Sequence, residues 1–405
     1  MRLSFKISLA ILVLLSGLLQ AEMICKPGPD SNGTYQYLNP GLDGKVGTAN
    51  PFMLMINSPR ANAMGGCTIT WVDEQSGMHN PGGLGLLHLN RVLSLALPTS
   101  TDWFPDITDG LQLKTYSFGA GVSRHLLWGG DKRPDIAVGL SYSNMTMEYG
   151  TFIVTDYNAE VIGMYTQTAI ARYYSAGIGV DYFCRLGVGL TYATVMDQRV
   201  GTQDYDFDAK GHVINLGAIL EAPLFQFLPP ALNPNRSDHL LHFDLTPAVA
   251  VMFINAGKDS ISYPYATSLL TQITHLGSSL TGSVGLHDAD IAGVTLVTER
   301  GLYAGQTLEW RDGWELALLN IFSLRGGRSR VEPYPTSYRY SRGFGVKLDG
   351  IIDWYRHFSP HAFDHGIARY AAEHLSVSFD YAKYGINNDI PALDNTKFFK
   401  VTVSF

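Results

Sequence analysis

Across most of its length this chain alternates between apolar residues and small or polar ones with a period of two. Over 136–143, Ile136, Val138, Leu140 and Tyr142 alternate with Ala137, Gly139, Ser141 and Ser143. Over 242–251, Phe243, Leu245, Val249 and Val251 alternate with His242, Asp244, Thr246, Ala248 and Ala250. Over 376–382, Val377, Phe379 and Tyr381 alternate with Ser376, Ser378, Asp380 and Ala382. The pattern returns at 116–123 and at 180–192, where Phe183 is the one residue out of phase. Successive side chains of a strand face opposite ways, so each segment carries one apolar face and one small or polar face. The chain is therefore read as all-β.

Two architectures accept such strands. A soluble sandwich buries the apolar face and wets the other; an outer-membrane barrel turns the apolar face to lipid and the polar face to a lumen. Length allows either several soluble domains or one large barrel, since the chain has 405 residues. Many segments run ten residues or more, the length of a tilted membrane crossing. Tyr142, Tyr182 and Tyr192 fall at segment ends, where an interfacial aromatic girdle sits. Only 16% of residues are charged, against about a quarter in soluble domains. The last residues, 399–405, alternate and finish on Phe405, as the final strand of a bacterial outer-membrane barrel does. The pattern predicts a transmembrane outer-membrane β-barrel of about 14 antiparallel strands, an even number being usual.

Strands are expected near 84–97, 112–125, 134–148, 160–174, 178–194, 211–224, 240–254, 266–276, 278–288, 291–299, 301–310, 314–325, 338–356 and 374–405. The last holds a turn near Asn387-Asn388-Asp389. Pro247 interrupts a clean strand and cannot donate to its ladder, which predicts a bulge or kink. The expected organisation is a signal peptide over 1–21, a short non-barrel segment over 22–83 contacting or plugging the barrel, and the barrel over 84–405.

The signal reading rests on Arg2 and Lys6, the short apolar run from Ile7 to Leu15 and the small residue Ala21, which describe Sec-dependent export. That run is too short to span a membrane as a helix, and no later stretch is long enough either. The expected localisation is the bacterial cell outer membrane, with its lipids as partners. A net charge of −7 gives no reason to expect nucleic acid. Of three cysteines, Cys25 and Cys67 are able to pair in an oxidising compartment, although nothing in their spacing compels it.

Residues 58–87 do not alternate. They contain Arg60-Ala61, Met64-Gly65-Gly66, the acidic Asp73 and Asn80-Pro81 before the first expected strand. This segment resembles the N-terminal signature of the PorV/PorQ family, relatives of the FadL-type fatty-acid channels. Members usually show Asn-Pro-Ala; here Gly82 takes the Ala position, and Cys67 replaces a common small residue. A late Gly313-Trp314-Glu315 followed by Leu324-Arg325-Gly326-Gly327 agrees with the same design. The resemblance implies a roughly 14-stranded outer-membrane barrel. Small residues at Ala61, Gly65 and Gly66 let backbone pack closely on a wall, while Arg60 and Asp73 are expected to face the lumen and pair there.

Chemistry-bearing motifs are few. His357, His361 and His365 share a helical spacing, with Asp364 and His374 nearby, but Pro360 interrupts that helix, and no metal is expected. Asp204, Asp206 and Asp208 alternate without the Gly and Glu of a calcium loop. No hydrolase elbow, phosphate loop or dinucleotide fingerprint appears. Gly119, Gly121, Gly187 and Gly189 are better read as lumen-facing strand glycines. No enzyme activity and no cofactor are expected.

The family resemblance implies a component of the type IX secretion system that binds and shuttles the C-terminal signal domains of cargo from a translocon. Loops 149–160, 197–210 and 255–266 would then carry the contacts, through Tyr157, Tyr205, Tyr263 and Tyr265. The alternative is a FadL-like transporter of long-chain fatty acids or other hydrophobic molecules across the outer membrane. For that role Pro247 would open a path through the wall and Phe183 would intrude on the lumen. A general porin fits less well, because Gly, Ser and Ala dominate the inward positions of the segments above and a porin lumen should be lined with charge.

Overall fold

The computed structural model describes residues 55–89, 92–102, 111–128, 134–201, 207–227, 241–257, 259–263, 267–270, 272–286, 289–303, 306–331, 338–358, 375–386 and 396–405. Its strands are β1 (Leu93–Asp102), β2 (Gln112–Ser123), β3 (Asp135–Thr155), β4 (Val161–Asp181), β5 (Arg185–Gly201), β6 (Phe207–Glu221), β7 (Leu241–Ile254), β8 (Ser260–Ser262), β9 (Thr267–Leu269), β10 (Ile273–Leu286), β11 (Ala289–Tyr303), β12 (Gln306–Leu318), β13 (Phe322–Val331), β14 (Arg339–Lys347), β15 (Ser376–Ile386) and β16 (Lys397–Ser404). Each wall strand pairs antiparallel with its neighbours, β1 pairs with β16 and β5 with β6, so the sheet closes. Fourteen strands form the closed barrel, and β8 and β9 make a side hairpin on β6. Closure gives every wall strand two neighbours, as a chain crossing hydrocarbon requires, although the β1–β16 seam pairs only Ser94–Ala96 with Thr402–Ser404 and the β6–β7 seam only Leu216–Glu221 with Ala248–Phe253.

The alternation sorts as a barrel demands. Leu140, Ile178, Leu190, Leu296 and Leu324 lie on the outer face and are 46–56% exposed. Their neighbours Ser141, Ser175, Thr191, Thr295 and Arg325 face inward and are buried. A hydrophobic outer face left without a protein partner is what lipid covers.

Both ends of the barrel chain, Leu93 and Ser404, lie at one end of the barrel, here called the terminal end. The connections at this end are 124–134, 182–184, 222–240, 287–288, 319–321 and 348–375. The opposite, far end carries the connections 103–111, 156–160, 202–206, 255–272, 304–305, 332–338 and 387–396.

Several strand limits differ from the sequence expectation although the total agrees. The alternation of 180–192 runs straight through a turn: Asp181 ends β4 and Arg185 begins β5. Phe183 sits in that turn, its ring 3.9 Å from that of Tyr182, so it does not intrude on the lumen. The stretch 338–356 divides into β14 and an amphipathic helix, Leu348–Phe358, at the terminal end. Residues 84–89 do not open a strand; they finish the non-barrel segment, and the first strand starts at Leu93.

Pro247 makes no bulge. It stays in register opposite Leu280, while the β6–β7 ladder stops at Glu221↔Ala248. Its carbonyl accepts from the Ala222 amide on the β6 side, 3.0 Å away. A strand residue's N–H and C=O point to the same neighbour, so the donor that proline lacks would have faced that side, and the β10 ladder loses nothing.

Candidate functional site

Residues 55–89 lie inside the barrel and pack against its inner wall. A helix, Pro59–Ala63, starts with the Ser58 hydroxyl accepting from the Ala61 amide at 3.4 Å and with Pro59 in its first turn. It packs against β13 to β16. Gly65 and Gly66 then reverse the chain at φ +72° and +88°, a conformation that favours glycine. A short helix, Ser76–His79, leads to a 3-10 segment, Pro81–Leu89, that lies across β2 to β6. Met64, Ile69, Leu84, Leu86 and Leu87 are at most 1% exposed. One segment thus touches walls on opposite sides of a closed ring.

The wall formed by β2 to β6 receives this plug with almost no side chains. Gly121, Gly139, Gly177, Gly189 and Gly217 stand opposite one another in register on five successive strands. A Cβ at Gly139 would overlap the Leu84 carbonyl, one at Gly179 the Gly85 carbonyl, and one at Gly189 the Pro81 carbonyl. The next row offers hydroxyls: Ser175 and Thr191 donate to the Gly77 carbonyl at 3.2 and 2.6 Å. Asn80 ties plug to wall, its Nδ2 donating to the carbonyls of Ile69 at 2.7 Å and Ala218 at 3.1 Å. Its Oδ1 accepts from the Gly82 amide at 3.0 Å.

The opposite wall holds the plug by charge. Arg60 binds Glu315 with two donors, at 2.7 and 3.0 Å, and its guanidinium lies over the Trp71 ring. Arg325 joins Glu315 to Asp380, 2.5 Å from each. Glu299 accepts from the plug amides of Thr68 at 2.7 Å and Ile69 at 3.2 Å, with His275 and Arg311 each at 2.8 Å. Arg311 also donates to the Gly66 carbonyl at 3.1 Å and pairs with Glu309. Lys400 reaches Glu74 at 2.8 Å and Gln75 at 3.2 Å, and Ser94 donates to the other Glu74 oxygen. Each buried carboxylate thus meets a cation or several donors, the condition for burying such a group.

Two expectations are corrected here. Arg60 does face the lumen, but its partner is Glu315 and not Asp73. Asp73 serves its own turn, accepting from the Gln75 amide at 2.9 Å. The inward face is also not Gly, Ser and Ala throughout, since β10 to β16 present Glu299, Arg311, Glu315, Arg325, Asp380 and Lys400. Glu315 and Arg325 lie within the Gly-Trp-Glu and Leu-Arg-Gly-Gly stretches. The signal was present: each charge occupies the non-apolar phase of an alternating strand.

Ala61 and Met64 are buried, and Gly65 and Met64 lie against Gly327 and Gly313 of the wall. Pro81 opens the 3-10 segment. Tyr157 is 95% exposed on the far-end connection between β3 and β4. Tyr263 donates to Asp197 at 3.0 Å and packs edge-on to Phe207, so its ring belongs to the inner wall. Tyr205, Tyr265, Cys25, Asp364, His361, His365 and His374 lie outside the described residues. Cys67 is buried as a free thiol, and burial pushes its pKa well up. Among the described residues, no group of three His, Cys, Asp or Glu is placed to hold a metal ion.

Above the plug, toward the far end, the β2–β6 wall turns apolar. Leu113, Met145, Met147, Ala169, Ala171, Tyr173, Ala193, Val195 and Val213 form one cluster with Ile261 and Leu270 of the side-hairpin connection and Phe398 of β16, all at most 3% exposed. Met78 of the plug packs into its base.

No protein-family model and no curated protein matches the chain. Among solved structures it is similar to the Pseudomonas putida toluene transporter TodX, with 11% identity, 85% of this chain and 95% of that one covered, and a TM-score of 0.38. It is similar to a Pseudomonas aeruginosa FadL homologue at 11% identity, covering 86% and 96%, with a TM-score of 0.33. It is also similar to the monoaromatic hydrocarbon channel CymD at 12% identity, covering 87% and 96%, with a TM-score of 0.36.

Proposed function

We propose that this barrel transports hydrophobic small molecules across the bacterial outer membrane, the FadL-like role, and that its far-end lumen is the entry site. In this reading the terminal end, which holds both ends of the barrel chain, faces the periplasm. The observation that carries the reading is the apolar cluster above the plug. A porin interior is polar and water-filled, whereas here inward positions of β2 to β6 carry Leu, Met, Val and Tyr. Methionine is flexible and polarisable, suited to re-packing around an apolar guest. Met145 and Met147 would line the site, with Met78 as its floor.

The cargo-shuttle reading draws on the resemblance of residues 58–87 and on exposed Tyr157. Tyr263, another of its proposed contact residues, donates to Asp197 at 3.0 Å. Native mass spectrometry of the barrel, extracted gently from its own outer membrane, separates the two. A lipid-sized or smaller apolar adduct, lost on changing Met145 and Met147 to Glu, is the expected result. Co-purification of a large translocon subunit or cargo domain, with no such adduct, would support the shuttle instead.

A further inference from the structure

The outer face of β14 to β16 carries a cation row with no counterpart elsewhere on the described wall. Arg342, Lys383 and Lys397 stand directly opposite one another on three adjacent strands. They alternate with the buried, inward Ser341, Ala382 and Phe398, so all three face out. Adjacent strands are about 4.8 Å apart, and like charges directly opposite destabilise a sheet. Among the described residues, none of the three has an acidic partner.

The row sits at a definite height. On each strand from β11 to β16 the outward positions toward the terminal end are apolar or glycine, except for Thr298, which donates to Asp312 at 2.8 Å. The first charge toward the far end is then Arg300, Asp312, Arg328, Arg342, Lys383 and Lys397 in turn. Only Asp312 is acidic, and it is engaged by Arg300 at 3.3 Å and Arg328 at 3.2 Å. Arginine or lysine facing lipid is costly at the midplane and nearly free at the interface, so this height is that of lipid headgroups. Immediately below the row, Phe344, Tyr381 and Phe399 form a second row, with ring centroids 5.3 and 5.2 Å apart. Two strands along from β16, Lys114 of β2 is instead paired with Glu148 at 2.6 Å.

We propose that Arg342, Lys383 and Lys397, flanked by Arg328, bind the phosphate group of an anionic lipid of the extracellular leaflet. The aromatic row beneath them carries its acyl chains. Cations and aromatics stacked in that order match a molecule whose charge lies above its hydrocarbon, and the phosphate relieves the repulsion within the row. The site is on the outer wall, so it stands apart from the lumenal transport reading and shares with it only the orientation in the membrane.

The test uses the full chain in mild detergent, with a lipid A bearing two phosphates and the same lipid with its phosphates removed, read by native mass spectrometry. The phosphorylated lipid is expected to bind and the dephosphorylated one not. The triple variant Arg342→Ala, Lys383→Ala, Lys397→Ala should bind about tenfold more weakly or worse, from the loss of three charge-assisted contacts. Arg172→Ala on the opposite wall should bind as the parent does. Heat-modifiable mobility on gels checks that each variant is folded, and any lumenal apolar adduct should persist in the triple variant. Undiminished binding by the folded triple variant, or equal binding of both lipids, would overturn the proposal. Displacement of the lipid by millimolar inorganic phosphate would do so as well, by showing a site for a free anion.

Discussion

The two walls that grip the plug do so by unlike means. On β2 to β6, backbone meets backbone across the glycine row Gly121, Gly139, Gly177, Gly189 and Gly217. On β10 to β16, long side chains reach inward, with Glu299, Glu315, Arg325 and Lys400 as the hubs. The first surface works by shape and tolerates no added atom. The second works by charge and tolerates no lost partner. The division also leaves the far end of the glycine wall free to be apolar, which is where the proposed entry site lies.

The contrast breaks most visibly at Gly139. A Cβ there meets the Leu84 carbonyl, which is main chain and cannot swing aside. Gly139→Val should therefore expel Pro81–Leu89 from its bed and cost more than about 3 kcal/mol, the upper range for overpacking. Limited proteolysis of the folded barrel reads this as new cleavage within 81–89. Protection equal to the parent's would mean that the glycine row is not a bed.

On the charged wall, Glu299→Gln keeps the shape and removes the charge facing Arg311 and His275. Breaking a buried pair costs about 3–5 kcal/mol, measurable as a fall in unfolding midpoint. The corresponding isosteric change on the glycine wall, Ser175→Ala, should cost only about 1 kcal/mol, since Thr191 still donates to Gly77. Equal losses would erase the distinction between the walls.

The plug itself carries a pH dependence. Burial lowers the His79 imidazole from its ordinary 6.5 to about 4. Above pH 6.5 both released and seated plug hold this ring neutral, so no linkage arises. As pH falls from 6.5 toward 4, the released form takes a proton that the seated form refuses, so seating weakens across that window. Proteolytic release of the plug should rise over the same range, and His79→Gln should flatten this part of the profile. An unchanged profile in the variant would remove His79 from the account.

The smallest effect belongs to the outer surface. Lys114 and Glu148 are paired while each is nearly half exposed, and such a pair is worth about 0–1 kcal/mol. Lys114→Ala should leave the unfolding midpoint nearly unchanged.

How much of this was legible in the sequence follows from the range of each signal. Alternation is local, so the barrel, the approximate strand total and the inward glycines could be read from it. Turns were read poorly where alternation continues through them: 182–184 keeps the phase of its flanking strands, and Phe183 looked like a misfit within one strand. The run Leu84-Gly85-Leu86-Leu87 looked like a strand opening because small and apolar residues alternate there too. The ion pairs were invisible for a different reason. Arg60 and Glu315 are 255 positions apart, and no local pattern says which inward carboxylate an arginine from the plug will meet, so Asp73 was the nearer guess. Nor did the sequence show that β2–β6 and β10–β16 would face each other across one plug, since that follows only from closure.

The central claim is that residues 55–89 occupy the lumen and that the intact protein is no open aqueous pore. Single-channel recording of the full chain in a planar lipid bilayer tests this most directly. A closed baseline with no sustained porin-like conductance is predicted. A steady open state in the intact chain would contradict it, because ions would then be passing where Met64, Ile69 and Leu84 are packed.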